Sequence, residues 1–143
     1  MKLTDLAILD WVLINNTPHK IQAIDSIDAE ILADDDLYYV GEDRCHSEDK
    51  IEPIPLTPEI LKKNGFERGV EIPSNFYRNI DNERLIFSPH SSCYGLVYVH
   101  WNESNDADIM HRFEVQQPIM YIHQMQHALR LFGLDELADK FKV

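Results

Sequence analysis

The stretch "YGLVYVHW" (Tyr94–Trp101) decides how this chain reads as a fold. Side chains alternate across a strand, so Leu96, Tyr98 and His100 share one face while Val97, Val99 and Trp101 share the other. Both faces are substantially apolar. A run of that kind belongs to a central strand covered on both sides, and the helix expected from Pro118 onward should supply one of the covers.

Outward from this run, "NFYRNI" (75–80), "RLIFS" (84–88) and "IMHRFEV" (109–115) are also strand-like. They are joined by the turn-like segments "DNE", "PHSSC" and "NESNDAD", so neighbours in sequence should pair antiparallel. The pattern predicts a four-stranded antiparallel meander packed by a C-terminal helix. In that helix, 118–132, Ile122, Met125, Leu129 and Phe132 form the apolar stripe, with Tyr121 and Ala128 on its shoulder. Gly133 should end it, and Asp135 should cap a second short helix.

Toward the N-terminus the rhythm is different. "WVLI" (11–14), "HKIQAID" (19–25), "AEIL" (29–32), "LYYVG" (37–41) and "KIEPIP" (50–55) read as short strands, with "NNTP", "DDD" (34–36) and "EDRCHSED" (42–49) as turns and charged loops. "WVLI" and "HKIQAID" should form a hairpin. Five short strands in so few residues suggest an SH3-like small β-barrel, with a flat meander as the alternative. Between the halves, Thr57 can cap, Pro58 fits the first helical position, Glu59 favours the positive helix end and Gly65 can close a helix over 57–65. The expected organisation is α+β: an acidic β subdomain over 1–56, a linker helix over 57–65, and a sheet with C-terminal helices over 66–143.

With 143 residues, 44% of them hydrophobic, the chain can bury one domain or two subdomains sharing a core. The run "LAILDWVLI" is interrupted by a charge and falls well short of the roughly 20 residues that span a bilayer. "MKLTDLAILD" has acids within its apolar part and no small-residue cleavage site, so the expectation is a cytoplasmic protein with no membrane association. Cys45 and Cys93 are then reduced thiols.

The net charge is −12, and residues 1–56 (13 acids, 4 bases) carry −9 of it, leaving −3 (12 acids, 9 bases) for residues 57–143. An acidic front third repels phosphate backbones, which disfavours direct nucleic-acid binding and suits a basic protein partner.

His123 and His127, one helical turn apart, have the spacing that can ligate zinc. In the protease motif built on this spacing the general base follows the first histidine, and Gln124 stands there; an amide cannot take a proton from metal-bound water. His111, Asp108 and His100 are the nearest further ligands in sequence. Both histidines lie opposite the apolar stripe together with Arg130, and Met120 and Leu131 beside them lend that side apolar character. Met120, His123, His127, Arg130 and Leu131 are therefore the candidate partner-binding face. The pairs His90/Cys93 and Cys45/His46 match no zinc-binding spacing, nothing orients Cys93 toward a base, and no phosphate-cradling glycine motif occurs.

"IEPIPLTPEILKKNGFE" (51–67) together with "IMYIHQMQHALRLFGL" (119–134) resembles a family of small uncharacterised proteins encoded in gut Bacteroidetes genomes and their bacteriophages. "DWVLINNTPHKIQAIDSID" (10–28) is similar to that family's opening hairpin. The resemblance implies a phage- or mobile-element-associated cytoplasmic protein that binds a host or phage protein, and it brings no activity, cofactor or catalytic residue with it. The expected function is thus non-enzymatic protein binding or regulation. A metal-dependent hydrolase using His123 and His127 is one alternative. A homo-oligomeric structural component using the face of Met120 and Leu131 is the other.

Overall fold

The computed structural model describes residues 2–25, 30–33, 45–47, 50–70, 72–81, 83–89, 95–101, 109–115 and 117–143. A short 3-10 turn (Leu3–Asp5) precedes β1 (Trp11–Ile14), β2 (Thr17–Asp25), β3 (Glu30–Ala33), β4 (Cys45–Ser47) and β5 (Ile51–Pro53). Then come α1 (Pro58–Lys63), β6 (Glu67–Arg68), β7 (Phe76–Ile80), β8 (Glu83–Phe87), β9 (Leu96–Trp101), β10 (Ile109–Val115), α2 (Ile122–Leu131) and α3 (Asp135–Asp139). The fold is α+β, with two antiparallel sheets and three short α-helices. Among the described residues, no helix is long and apolar enough to cross a membrane.

The first sheet has the order β4-β3-β2-β1-β5. Its leading hairpin closes on Asn15 and Asn16, at φ 52° and 63°, between the paired residues Ile14 and Thr17. Two successive positive φ values are what a type I′ turn requires, and asparagine tolerates them better than most residues. Among the described residues β4 and β5 are opposite edges that do not pair, so the sheet is an open strip and not a closed barrel. β4 lies within the segment expected to be a charged loop, because Leu32 and Glu30 of β3 offer an edge for Cys45 and Ser47 to pair with. The predicted strand "LYYVG" lies outside the described residues.

The second sheet is a meander of five strands, β10-β9-β8-β7-β6, where four were expected. The extra strand is the two-residue β6, whose Glu67 and Arg68 pair with Tyr77 and Phe76 and are too few to carry an alternation signal. β9 lies between β8 and β10, and Leu96, Val97, Tyr98 and Val99 are all buried. Both of its faces are therefore covered at those positions.

α1 begins where Thr57 Oγ1 accepts from Ile60 N–H at 3.3 Å, with Pro58 at the first helical position, and Gly65 follows it at φ +74°. α2 starts four residues later than Pro118. Leu56 N–H donates to Met120 O and Ile122 N–H to Ile54 O, so residues 120–121 are held extended against the linker. Gln124 Oε1 then accepts from Met120 N–H (2.9 Å) and Tyr121 N–H (3.2 Å), satisfying donors that the helix would otherwise orphan.

β1 belongs to two cores at once. Val12 and Ile14 point into a cluster with Leu6, Ile21, Ile31, Ala33 and Ile51 inside the first sheet. Trp11 and Leu13, on the other face, pack against the larger cluster formed by α2, the second sheet and Phe141. Trp11 and Leu13 are partly buried there, so this four-residue strand links the two clusters through its outer face.

Candidate functional site

The junction between β1 and α2 is built around Asp10, whose side chain is 0% exposed. Leu9 just before it adopts φ +69°, its N–H donates to Ile21 O and the Asp10 backbone N–H donates to Ala7 O. This tight turn aims the carboxylate away from its own sheet and at α2. Oδ2 accepts from Ala7 N–H at 2.8 Å and lies 2.6 Å from His127 Nε2, while Oδ1 accepts from Arg130 Nη1 at 2.7 Å. Arg130 continues to Asp139 Oδ1 at 3.1 Å and to Ile8 O at 3.4 Å. A buried carboxylate is costly unless paired and hydrogen-bonded, and here it is both. Burial pulls the Arg130 guanidinium down, but hydrogen bonds and charges from Asp10 and Asp139 outweigh it and hold Arg130 above its ordinary value.

Gln126, also 0% exposed, completes the junction. Its Oε1 accepts from Trp11 N–H at 3.0 Å, and its Nε2 donates to Leu9 O at 2.9 Å and Ala138 O at 3.0 Å. One amide thus joins β1, α2 and α3. Trp11 Nε1 donates to Phe141 O at 2.7 Å, and Lys20 Nζ donates to Asp139 O at 2.6 Å.

The five residues singled out by sequence fall into two groups. His123 is buried, stacked 5.8 Å from the Tyr121 ring and 6.1 Å edge-on from the His127 ring; His127 is partly exposed and Arg130 mostly covered. The side of α2 opposite its apolar stripe is therefore packed on the N-terminal segment. Burial pushes the His123 imidazole below its ordinary value; Asp10 and Asp5 pull it up less strongly, and His127 pushes it down. Met120 and Leu131 remain exposed, at 62% and 78%.

Chemically, Asp10 orients His127 through Nε2, so in the neutral tautomer that bonds the carboxylate Nδ1 is the acceptor on the partly exposed ring. Zinc bridging Nε2 and Oδ2 tetrahedrally needs these atoms about 3.3 Å apart, which would require opening the 2.6 Å contact. Among the described residues no three His, Cys, Asp or Glu side chains are grouped to hold a metal. Cys45 and His46 lie on β4 and His100 on β9 by backbone, and His111 lies on β10; Cys93, His90 and Asp108 lie outside the described residues. Sequence reasoning missed Asp10 and Gln126. The available signal for Asp10 was its place as the single charge within "LAILDWVLI", since a carboxylate embedded in an apolar run is rarely buried unless paired.

Comparison of the chain with protein-family models, curated proteins and solved structures gave no match.

Proposed function

We propose that this chain is a non-enzymatic protein-binding or regulatory protein, of the phage- or mobile-element-associated kind its resemblance implies, docking its partner on the outer edge of α2. One observation carries this reading: Leu131, at the C-terminal end of α2, and Met120, in the extended segment just before it, stand 78% and 62% exposed beside a helix whose other sides are packed. Gln124 and the partly exposed His127 lie between them along the same edge, and Ile8, 54% exposed, adjoins its far end through the Arg130 contact to Ile8 O. Exposed apolar side chains on a rigid, preorganised support suit docking, because less conformational entropy is lost on binding. Behind this edge the Asp10, Arg130 and Gln126 bonds supply that rigidity. The acidic front third of the sequence, which the strand spacing suggests is SH3-like, makes a basic partner the complementary one.

The test is low-salt affinity capture from a lysate of the cells that encode the protein, with wild type and a Met120→Ser/Leu131→Ser variant side by side. The expected result is one dominant basic protein, recovered roughly tenfold less by the variant and released by added salt. Equal recovery by both proteins removes the α2 edge as the docking surface. The same exposed pair also favours a second reading, self-association. Light scattering of the wild type at high concentration decides it: a dimer that the double variant lacks establishes a homo-oligomer in place of a foreign partner.

A further inference from the structure

A cavity of about 460 Å³ lies between the C-terminal end of α1, β7 and α3. Lys63, Arg78, Lys140 and Lys142 line it, against the single carboxylate of Glu136. The lining therefore carries 4 − 1 = +3 in a chain of net charge −12, and gathers four of only 13 lysines and arginines. Such a concentration of one sign opposes the trend of the whole sequence. A second cavity of about 360 Å³ shares Arg78, Glu136 and Leu137 with the first and adds Ile80, Gly133, Leu134 and Asp135, so the cationic cleft continues into a largely apolar annex with one further carboxylate at its margin.

Arg78 and the main chain at Lys142 are held in place. Asn64, 5% exposed, donates through Nδ2 to Ile60 O and Lys142 O, both at 2.8 Å, and accepts from Lys142 N–H at 2.8 Å. Its own carbonyl accepts from Arg78 Nη1. The Asn64 side chain thus ties the end of α1 to the segment after α3, and its main-chain carbonyl holds the arginine between them. Arg78 bonds no carboxylate among the described residues, although the chain has 25 acids. Burial pulls its guanidinium below the ordinary value, a cost that a bound anion would relieve. Lys63 donates to the Val143 main-chain oxygen at 3.1 Å, and among the described residues only Lys140 of these four meets an acid, Glu136, at 2.9 Å.

We propose that this cleft binds a small phosphate monoester, its phosphoryl group on Arg78, Lys140 and Lys142 and its apolar body against Ile80, Leu134 and Leu137. A dianion matches a +3 lining better than a single carboxylate does, and arginine offers its remaining donors in a planar fork suited to phosphate oxygens. The cavity falls within the roughly 300–1,000 Å³ typical of small-ligand sites. Outside the lining of the first cavity the chain carries −12 − 3 = −15, so a long nucleic-acid backbone leaving the cavity would meet repulsion.

Phenyl phosphate is the probe, titrated into the whole protein at low salt and followed by amide chemical shifts, with inorganic phosphate and benzyl alcohol as comparisons. Saturable shifts at Gly65, Arg78 and Leu137 are expected, with binding tighter than that of inorganic phosphate and none by benzyl alcohol. The exposed pair Lys140→Gln/Lys142→Gln should weaken binding by about tenfold, roughly 1.4 kcal/mol, with unchanged melting. Arg78→Lys, which keeps the charge and loses the fork, should weaken it further. Shifts that never saturate, that sulfate and chloride reproduce equally, or that survive in the lysine variant overturn the proposal. The α2 edge is untouched by these changes, so failure here leaves the docking reading standing, and the reverse holds too.

Discussion

Asp10 Oδ2 and His127 Nε2 lie 2.6 Å apart although 117 positions separate them in the chain. Arg130 holds the other carboxylate oxygen, so the first sheet is fastened to α2 by a charged clamp with its acid fully buried.

Removing that acid should cost more than an ordinary substitution. Asp10→Ala leaves Arg130 with a single carboxylate partner and strips a bond from Ala7 N–H; the expected loss is about 3–5 kcal/mol by denaturant unfolding. Asp10→Asn should lose less. A double-mutant cycle of Asp10→Ala with Arg130→Ala should give a coupling above about 1 kcal/mol, and additive costs would show that the clamp contributes only packing.

Gln126 tests hydrogen bonding separately from volume. Gln126→Leu keeps the approximate size but orphans Trp11 N–H and two carbonyls, for an expected cost of about 2–4 kcal/mol. Gln126→Glu should be destabilising at neutral pH and partly recover in acid, because a protonated carboxyl can donate to one of those carbonyls again. A leucine variant as stable as wild type would make the three bonds energetically idle.

His123 predicts a pH dependence with a definite sign. Its folded-state pKa lies below the ordinary 6.5, so under mildly acidic conditions the unfolded chain binds the proton more readily. Stability should therefore fall as pH drops below about 6.5 and level off once the folded-state value is passed. Unfolding of wild type and His123→Phe across pH 7.5 to 4.5 isolates this contribution, since shared carboxylate effects cancel in the difference. Parallel curves would show that the histidine contributes no proton linkage.

The hairpin turn offers a stabilising change. Asn16 holds φ 63° and is exposed, so Asn16→Gly places the preferred residue at the second position of a type I′ turn. A gain of about 0.5–1 kcal/mol in thermal or denaturant unfolding is expected. A loss would mean that the asparagine side chain contributes more than the backbone strain it carries.

Much of the architecture was legible along the chain because its causes are local. Alternation over Leu96 to Val99, the asparagines at 15 and 16, the cap formed by Thr57 and Pro58, and Gly65 and Gly133 at φ +74° and +75° all act within a few residues. The Ile122, Met125 and Leu129 stripe likewise follows from helical periodicity, and all three are fully buried. Periodicity, however, reports only that a second side of α2 is polar. It does not distinguish a side facing water from one facing a buried carboxylate, so His127 and Arg130 looked like surface. Their partner Asp10 lies 117 and 120 positions away, Trp11 and Leu9 lie 115 and 117 from Gln126, and no local pattern encodes such a meeting. The late start of α2 has the same origin, since the bonds of Ile54 and Leu56 to residues 120–122 override the helix-initiating tendency of Pro118. The cationic cleft is the extreme case: Lys63, Arg78, Lys140 and Lys142 are scattered through an acidic sequence, and it is the docking of the 142–143 segment onto Asn64 and Lys63 that brings their charges to one place.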